Sequence, residues 1–132
     1  IDPDDPDALD AIEAFDEPTY LHQFMLKEAD GTITRFKDLP QALESLDTQY
    51  STLNTPALAR VHFHIPLYDD PAAPLGSTRD HAEAALACLK AKPETCTHLE
   101  METYTWGVLP NSLQLPIEDQ LTKEYLWTIG RV

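Results

Sequence analysis

Three residues combine metal-binding side chains with similar positions on predicted strands. We expect His22, His64 and Glu102 each to lie near the end of a predicted strand, with the side chain on the inward face. Imidazole nitrogens and carboxylate oxygens from neighbouring strands suit a divalent ion such as Zn, Mn, Fe or Co, and they leave coordination positions for water or substrate. The sequence therefore predicts a metal site at these residues, with polar packing or hydrogen-bonded histidines as the alternative.

Further residues are expected to contact a ligand beside this ion. Residues 76–79, Gly-Ser-Thr-Arg, precede a predicted helix, where free N–H groups and a guanidinium suit a phosphate or carboxylate, and simple capping is the alternative. Two aromatic side chains after Glu102 suit a wall beside a ring or sugar face, or else core packing. The predicted substrate-binding residues are His62, Glu100, Tyr104, Trp106, Ser77 and Arg79.

The remaining reactive side chains are expected to be mostly solvated or structural. Asp69 and Asp70 follow His64 in a loop and could act as a general acid or base, although acidic loop residues are mostly solvated. His98 lies at the beginning of its predicted strand, the end that serves stability in a barrel. The side chains without an expected role are one helical histidine and two reduced thiols, namely His81, Cys88 and Cys96.

Alternating strands and helices are predicted to position these residues. Asp30-Gly31 between two strand-like runs is a strong hairpin signal. The predicted order is a strand with a hairpin, a helix from Leu39, a strand over 60–67, a helix after Gly76, a strand over 97–106 and a helix from about Pro116. Because strands and helices alternate, we expect parallel strands joined by right-handed crossovers.

The helices and the amino end carry more specific expectations. Residues 1–14 are rich in Asp and Pro, so we expect an acidic arm or loop that packs little. Ser77 followed by Asp80 approximates a capping box. In the last helix, apolar side chains recur at four-residue steps and are expected to face the core; these are Ile117, Leu121, Tyr125 and Ile129.

One polar and one apolar face on each predicted strand is typical of a barrel wall with a polar interior. A (β/α)8 barrel needs about 250 residues, so residues 15–132 are expected to form the carboxyl-terminal three or so βα units of such a barrel, with the remainder absent from this chain. Open strand edges would then favour self-association or attachment to the missing amino-terminal half.

The amino-acid composition argues against nucleic acid and anionic membranes as binding partners. The 132 residues include 9 Lys+Arg and 23 Asp+Glu, a net charge of −14, which opposes binding to nucleic acid and to anionic membranes. The acidic amino end lacks the pattern of a secretion signal, and no apolar stretch is long enough for a bilayer span. We therefore expect a cytoplasmic protein with no membrane insertion and a small-molecule ligand.

Four stretches resemble a known family. They are residues 20–23 (Tyr-Leu-His-Gln), 60–66 (Arg-Val-His-Phe-His-Ile-Pro), 75–78 (Leu-Gly-Ser-Thr) and 98–110, which contains Glu-Thr-Tyr-Thr-Trp. They are similar to the carboxyl-terminal part of EboE, the metabolite traffic protein of bacterial ebo gene clusters, which belongs to the xylose isomerase-like TIM barrels. The resemblance covers nearly all of the chain from about Phe15 onward.

The resemblance implies a metal site and a function. In the wider sugar isomerase and epimerase superfamily, late strands supply Asp, His and Glu to a divalent metal, and His64 and Glu102 match the last two. His22 stands where Asp is more common, and a further Glu would come from an earlier strand. The implied function is a metal-dependent isomerase- or epimerase-like protein that acts on or holds a small polar metabolite precursor. The alternatives are a non-catalytic carrier or assembly protein and an acidic interaction domain without metal.

Overall fold

The computed structural model describes residues 1–50 and 58–132, and the chain divides into two units. Unit 1 consists of Ile1–Phe63 and Ala72–Leu75, and unit 2 consists of His64–Pro71 and Gly76–Val132. The helices and strands are α1 (Pro6–Glu13), β1 (Phe24–Lys27), β2 (Ile33–Phe36), α2 (Leu39–Ser45), β3 (Leu58–Val61), α3 (Arg79–Ala91) and α4 (Ile117–Ile129). A π-helical turn covers Leu46–Tyr50, and short 3-10 turns cover Pro93–Thr95 and Trp106–Val108.

The hairpin of unit 1 lies where the sequence predicts it. Strands β1 and β2 are antiparallel, with Phe24 opposite Phe36 and Lys27 opposite Ile33. The Glu28 N–H donates to the Thr32 carbonyl at 2.9 Å, which closes the loop. Gly31 has a φ of +90°, a conformation that side chains with a Cβ rarely adopt. Glycine at this position is therefore required by the turn.

The predicted parallel pairing is wrong for the sheet of unit 1. Strand β3 pairs with β1 in the antiparallel sense, with Phe24 opposite Val61, and the strand order is β2-β1-β3. Because β2 and β3 are both antiparallel to β1, they run parallel to each other on either side of it. Helix α2 thus lies in sequence between two strands that are parallel to each other, as strand-helix alternation implies, but the strand before it is the return strand of the hairpin and β1 separates the two in the sheet.

The second and third predicted strands differ from the observed backbone. Strand β3 ends at Val61, so His62 and His64 follow the strand instead of lying within it. Residues 97–106 were expected to form a strand, but residues 64–71 and 76–132, all of which the structure describes, contain none. A strand needs backbone partners on a neighbouring strand, and alternation of side chains does not supply them. Face assignments based on strand parity therefore do not hold for Glu100 and Glu102.

The amino-terminal segment is helical and packed, which corrects the expectation of a loose arm over residues 1–14. The Asp5 side chain accepts a hydrogen bond from Asp7 N–H at 3.0 Å, and Pro6 occupies the first turn of α1, where a missing N–H costs nothing. Ala8 and Ile12 are buried. The apolar residues of α1 recur with helical spacing, and burial of Ile12 against the core outweighs the solvation of the surrounding aspartates.

The core of unit 1 surrounds the central strand. Alternate residues of β1 are completely buried, while Met25 on the other face is 39% exposed. The buried core residues are Ile12, Phe24, Leu26, Leu39, Ala42, Leu46 and Ala59. The amino terminus extends this packing to the sheet edge, because Ile1 and Ala59 exchange two backbone hydrogen bonds of 2.9 Å. The sheet is therefore the framework that holds both ends of unit 1.

Helix α4 in unit 2 buries the side that the sequence predicts to be exposed. Gln120, Glu124 and Thr128 are buried, whereas Tyr125 is 47% and Ile129 is 63% exposed. The two series have the same four-residue spacing, so periodicity identifies the helix but not its inner face. Gln120 donates to the Leu113 carbonyl and Glu124 accepts from Leu67 N–H, and these two hydrogen bonds favour the observed orientation. The predicted inward face of Ile117, Leu121, Tyr125 and Ile129 is thus corrected.

Helix α3 lacks the predicted capping box. Thr78, not Ser77, is its N-cap residue, and the Thr78 side chain makes no capping hydrogen bond.

Within the residues that the structure describes, no helix has both the length and the apolar character needed to cross a membrane.

Replacing Leu26 tests the position of the core. Leu26 is fully buried, so Leu26→Ala is expected to lower the free energy of unfolding by about 2–5 kcal/mol. Met25→Ala, on the exposed face of the same strand, is expected to cost less than about 1 kcal/mol. Urea denaturation followed by far-UV circular dichroism measures both, and equal losses from the two variants would contradict this core.

Candidate functional site

Three of the predicted site residues meet within unit 2. The Nδ1 atom of His64 lies 3.0 Å from Oε2 of Glu102, although the two residues are 38 positions apart. The ring of Tyr104 lies beside the imidazole, with 5.7 Å between the ring centroids. The His64 side chain is 30% exposed and that of Glu102 is 54% exposed, so a small molecule can reach both. We call His64, Glu102 and Tyr104 the imidazole-carboxylate cluster.

The spacing of this cluster permits two kinds of chemistry. At 3.0 Å the Glu102 carboxylate can accept the Nδ1 proton of His64 and so fix the tautomer of the ring. The same separation, about 3 Å, is expected for two ligand atoms at right angles on one divalent ion with bonds of about 2.1 Å. The two side chains therefore fit either a hydrogen-bonded pair or two ligands of one ion.

Packing within unit 2 holds the segments on which these residues lie. The backbone N–H of Leu67, three residues after His64, donates to Oε1 of Glu124 at 2.7 Å. On the other segment, Thr105 and Trp106 are buried next to Tyr104. Tyr104 and Trp106 were both predicted to line a bound ligand. Tyr104 is 57% exposed, whereas Trp106 is buried and holds its segment in the interior.

His22, the third predicted metal ligand, lies in unit 1 among carboxylates. Its Nδ1 atom is 3.5 Å from Oδ1 of Asp16 and 3.8 Å from Oδ1 of Asp38. The residue is only 7% exposed, and Nδ1 has no hydrogen-bond partner in the described part of the chain. The prediction that His22 shares an ion with His64 and Glu102 stays a prediction.

Glu17 faces the opposite nitrogen of the same imidazole. Its Oε1 atom lies 3.8 Å from Nε2 of His22, and its carboxylate accepts hydrogen bonds of 2.8 Å from the Thr19 and Tyr20 N–H groups. Burial acts to raise the pKa of Glu17, but these hydrogen bonds and the charge of His22 outweigh it and hold the pKa below its usual value. Glu17 is thus kept as a carboxylate.

The other predicted substrate-binding residues have internal partners. His62 belongs to unit 1, where its N–H donates to the Gln23 carbonyl at 2.9 Å. The Arg79 guanidinium donates to the Asp69 carbonyl at 3.2 Å and to Asp70 Oδ2 at 2.9 Å, and Ser77 Oγ accepts from Arg79 N–H at 3.4 Å. An anion at this helix start would have to displace Asp70 from Arg79.

Glu100 pairs with His98 on an exposed segment of unit 2. The two side chains are 2.7 Å apart and 80% and 76% exposed, respectively. This pair repeats the residue types of His64 and Glu102 in a more solvated setting. It therefore provides a matched control for experiments on the imidazole-carboxylate cluster.

A buried polar group on α4 was missed by the sequence reasoning. Burial raises the pKa of Glu124, and the hydrogen bond from Leu67 only partly opposes this effect. Burial also raises the pKa of nearby Tyr68, to which the charges of Glu124 and Asp69 add, while Gln120 hydrogen-bonds to Tyr68 and lowers its pKa in part. The sequence signal was present as the four-residue spacing of Gln120, Glu124 and Thr128, but it is indistinguishable from an ordinary solvated face.

Comparison of the chain with protein-family models, with curated proteins and with solved structures finds no match. Any function assigned to the chain therefore depends on its own residues and their geometry.

The buried carboxyl of Glu124 predicts a specific dependence of stability on pH. Because the folded-state pKa of Glu124 is raised, its protonated form favours folding, and this contribution is lost as pH rises from the unfolded pKa through the folded one. Glu124→Gln keeps an acceptor for Leu67 N–H without the charge. Its melting temperature should exceed that of the wild type by a few degrees at neutral pH, and the difference should vanish in acid.

Both tryptophans of the chain, Trp106 and Trp127, lie in unit 2, so their fluorescence reports its melting. The control is Glu118→Gln, since Glu118 is exposed in the first turn of α4, where a negative charge favours the helix. That variant should show no stabilisation at neutral pH. A Glu124→Gln variant that is less stable than the wild type at pH 7 would contradict the burial of a charged group.

Proposed function

We propose that the protein is a metal-dependent, isomerase- or epimerase-like protein of the EboE type that acts on or holds a small polar metabolite. The observation that carries the proposal is the imidazole-carboxylate cluster, in which His64 and Glu102 approach to 3.0 Å beside the partly exposed ring of Tyr104. These three residues lie in the stretches whose sequence resembles EboE. A cytoplasmic location is part of the same proposal.

The donor set fits a divalent ion of the intermediate class. An imidazole nitrogen and a carboxylate oxygen are the usual ligands of Zn, Mn, Fe and Co in such sites. His64 and Glu102 would hold the ion, and their partial exposure leaves room for water or a ligand oxygen. When bound, such an ion supplies Lewis-acid polarisation of a carbonyl or hydroxyl group.

The protein's own side chains would orient the ligand. The exposed Tyr104 ring offers an apolar surface next to His64, which suits the carbon face of a sugar or of another small polyol. Nδ1 of His64 and Oε2 of Glu102 are already 3.0 Å apart, so the two donor atoms are adjacent before an ion binds. The hydrogen bond from Leu67 N–H to Glu124 and the burial of Trp106 limit movement of the two segments, and this preorganisation favours ligand binding.

Metal content of the purified protein tests the proposal. Protein purified from its natural gene without added ions should retain divalent metal, and His64→Ala and Glu102→Gln should each lose about one equivalent per chain relative to the wild type. His98→Ala and Glu100→Gln remove the same residue types from the exposed pair, so they should keep the wild-type content. Mass spectrometry of the metal ions gives the measurement, and wild-type content in both cluster variants would contradict the site.

Measuring enzymatic turnover distinguishes a catalyst from a protein that only binds and carries the ligand. The metal-loaded protein should interconvert members of a panel of ketoses and aldoses, and Glu102→Gln should lower the rate by at least about 100-fold. Tyr104→Ala should mainly weaken binding, because the ring contacts the ligand without taking part in the proton transfer. Retained metal with ligand binding but without turnover would contradict catalysis and leave the carrier function.

A further inference from the structure

A buried imidazole in unit 1 faces two carboxylates without touching either. His22 is 7% exposed, and its Nδ1 atom has no hydrogen-bond partner among residues 1–50 and 58–132. Its neighbours are Oδ1 of Asp16 at 3.5 Å and Oδ1 of Asp38 at 3.8 Å, both beyond the usual length of an N–H···O hydrogen bond. An unsatisfied buried nitrogen is unfavourable, so this arrangement calls for a group between the three atoms.

We propose that Asp16, His22 and Asp38 form a divalent-cation site that is complete within unit 1 and separate from the ion of His64 and Glu102. One ligand atom from each of the three residues lies within 4.8 Å of the other two. Ligand atoms of a tetrahedral ion with bonds of 2.0–2.1 Å lie about 3.3–3.4 Å apart. The two separations from Nδ1 of His22, 3.5 and 3.8 Å, thus need to contract by only a few tenths of an ångström, and the two carboxylate oxygens lie no more than 4.8 Å apart.

Backbone contacts hold one of the carboxylates in place. Asp38 is the N-cap residue of α2, and its Oδ1 accepts hydrogen bonds from His22 N–H at 2.8 Å and Leu39 N–H at 3.0 Å. The same residue therefore begins the helix and fixes the backbone of the histidine. Such support from outside the ligand set reduces the loss of side-chain freedom when a cation binds.

Glu17 faces the nitrogen of His22 that the proposed cation does not use. Its carboxylate lies 3.8 Å from Nε2, and two backbone N–H groups hold it there. When a cation occupies Nδ1, the nitrogen that faces Asp16 and Asp38, the ring proton lies on Nε2, where the negative charge of Glu17 stabilises it. A carboxylate behind a metal-binding histidine is the usual arrangement at such sites.

The negative charge and partial exposure of the carboxylates around His22 suit the binding of a small cation. Asp16, Asp38 and Glu17 place three carboxylates around one imidazole, and no lysine or arginine pairs with any of these carboxylates in the described part of the chain. The side chains of Asp16 and Asp38 are 36% and 33% exposed, so an ion can enter and keep a water ligand. One nitrogen and two oxygens suit Zn²⁺, Mn²⁺ or Co²⁺.

Titration of the metal-free protein with Zn²⁺, followed by long-range ¹H–¹⁵N NMR of the imidazoles, tests the proposal. The Nδ1 resonance of His22 should shift and saturate, while its Nε2 stays protonated. Asp16→Asn should weaken Zn²⁺ binding at His22 at least tenfold. Asp38→Asn keeps an efficient N-cap residue, so it should weaken binding similarly without loss of α2.

The controls separate this site from general electrostatics and from the proposed ion of unit 2. Asp10→Asn removes an exposed charge from unit 1 and should change the affinity less than twofold. His64→Ala with Glu102→Gln should leave the response of His22 intact. The proposal is overturned by an unchanged His22 Nδ1 resonance in Zn²⁺, by equal weakening in Asp10→Asn, or by loss of the response in the His64 and Glu102 variant alone.

Discussion

Polar groups removed from water need hydrogen-bond partners, and three buried or partly buried carboxylates of this acidic chain find them in backbone N–H groups. Glu124 accepts from Leu67, Asp38 accepts from His22 and Leu39, and Glu17 accepts from Thr19 and Tyr20. The bonds from Leu67 to Glu124 and from His22 to Asp38 join segments that are distant in the chain, whereas the other three are local. The 23 acidic residues therefore include structural acceptors as well as solvated surface charge.

The same constraint explains the arrangement of the functional candidates. The loop that begins at His64 is held by the hydrogen bond between Leu67 and Glu124, and the segment of Glu102 and Tyr104 is held by the burial of Trp106. The chemistry is thus carried by irregular segments that are fixed by buried neighbours. Nδ1 of His22 and Oγ1 of Thr128 are exceptions among the described residues, because both atoms are buried without a hydrogen-bond partner; of the two, only Nδ1 of His22 faces two carboxylates.

Sequence reasoning succeeded where local chemistry determines the structure. Asp30-Gly31 encodes a turn because glycine permits the positive φ, and Pro40 lies in the first turn of the helix predicted from Leu39. It failed where the outcome depends on distant partners. Strand β1 pairs with both neighbours in the antiparallel sense, and the alternating run at 97–106 finds no strand partner.

The candidate site could be predicted only in part, because residue types are visible in the sequence but their partners in the fold are not. Residue type and spacing selected His64, Glu102 and Tyr104, which meet in unit 2, although the strand parity used to select them does not apply. The carboxylates around His22 were not predicted, because Asp16 and Asp38 resemble ordinary surface residues until the chain folds. The inner face of α4 was also unpredictable, since its polar and apolar residues share one period.

Anomalous diffraction from crystals grown with Mn²⁺ tests the central claim most directly. The account predicts a peak about 2.0–2.3 Å from both the imidazole of His64 and the carboxylate of Glu102. A direct hydrogen bond between these side chains, with no anomalous peak beside them at saturating Mn²⁺, would contradict it.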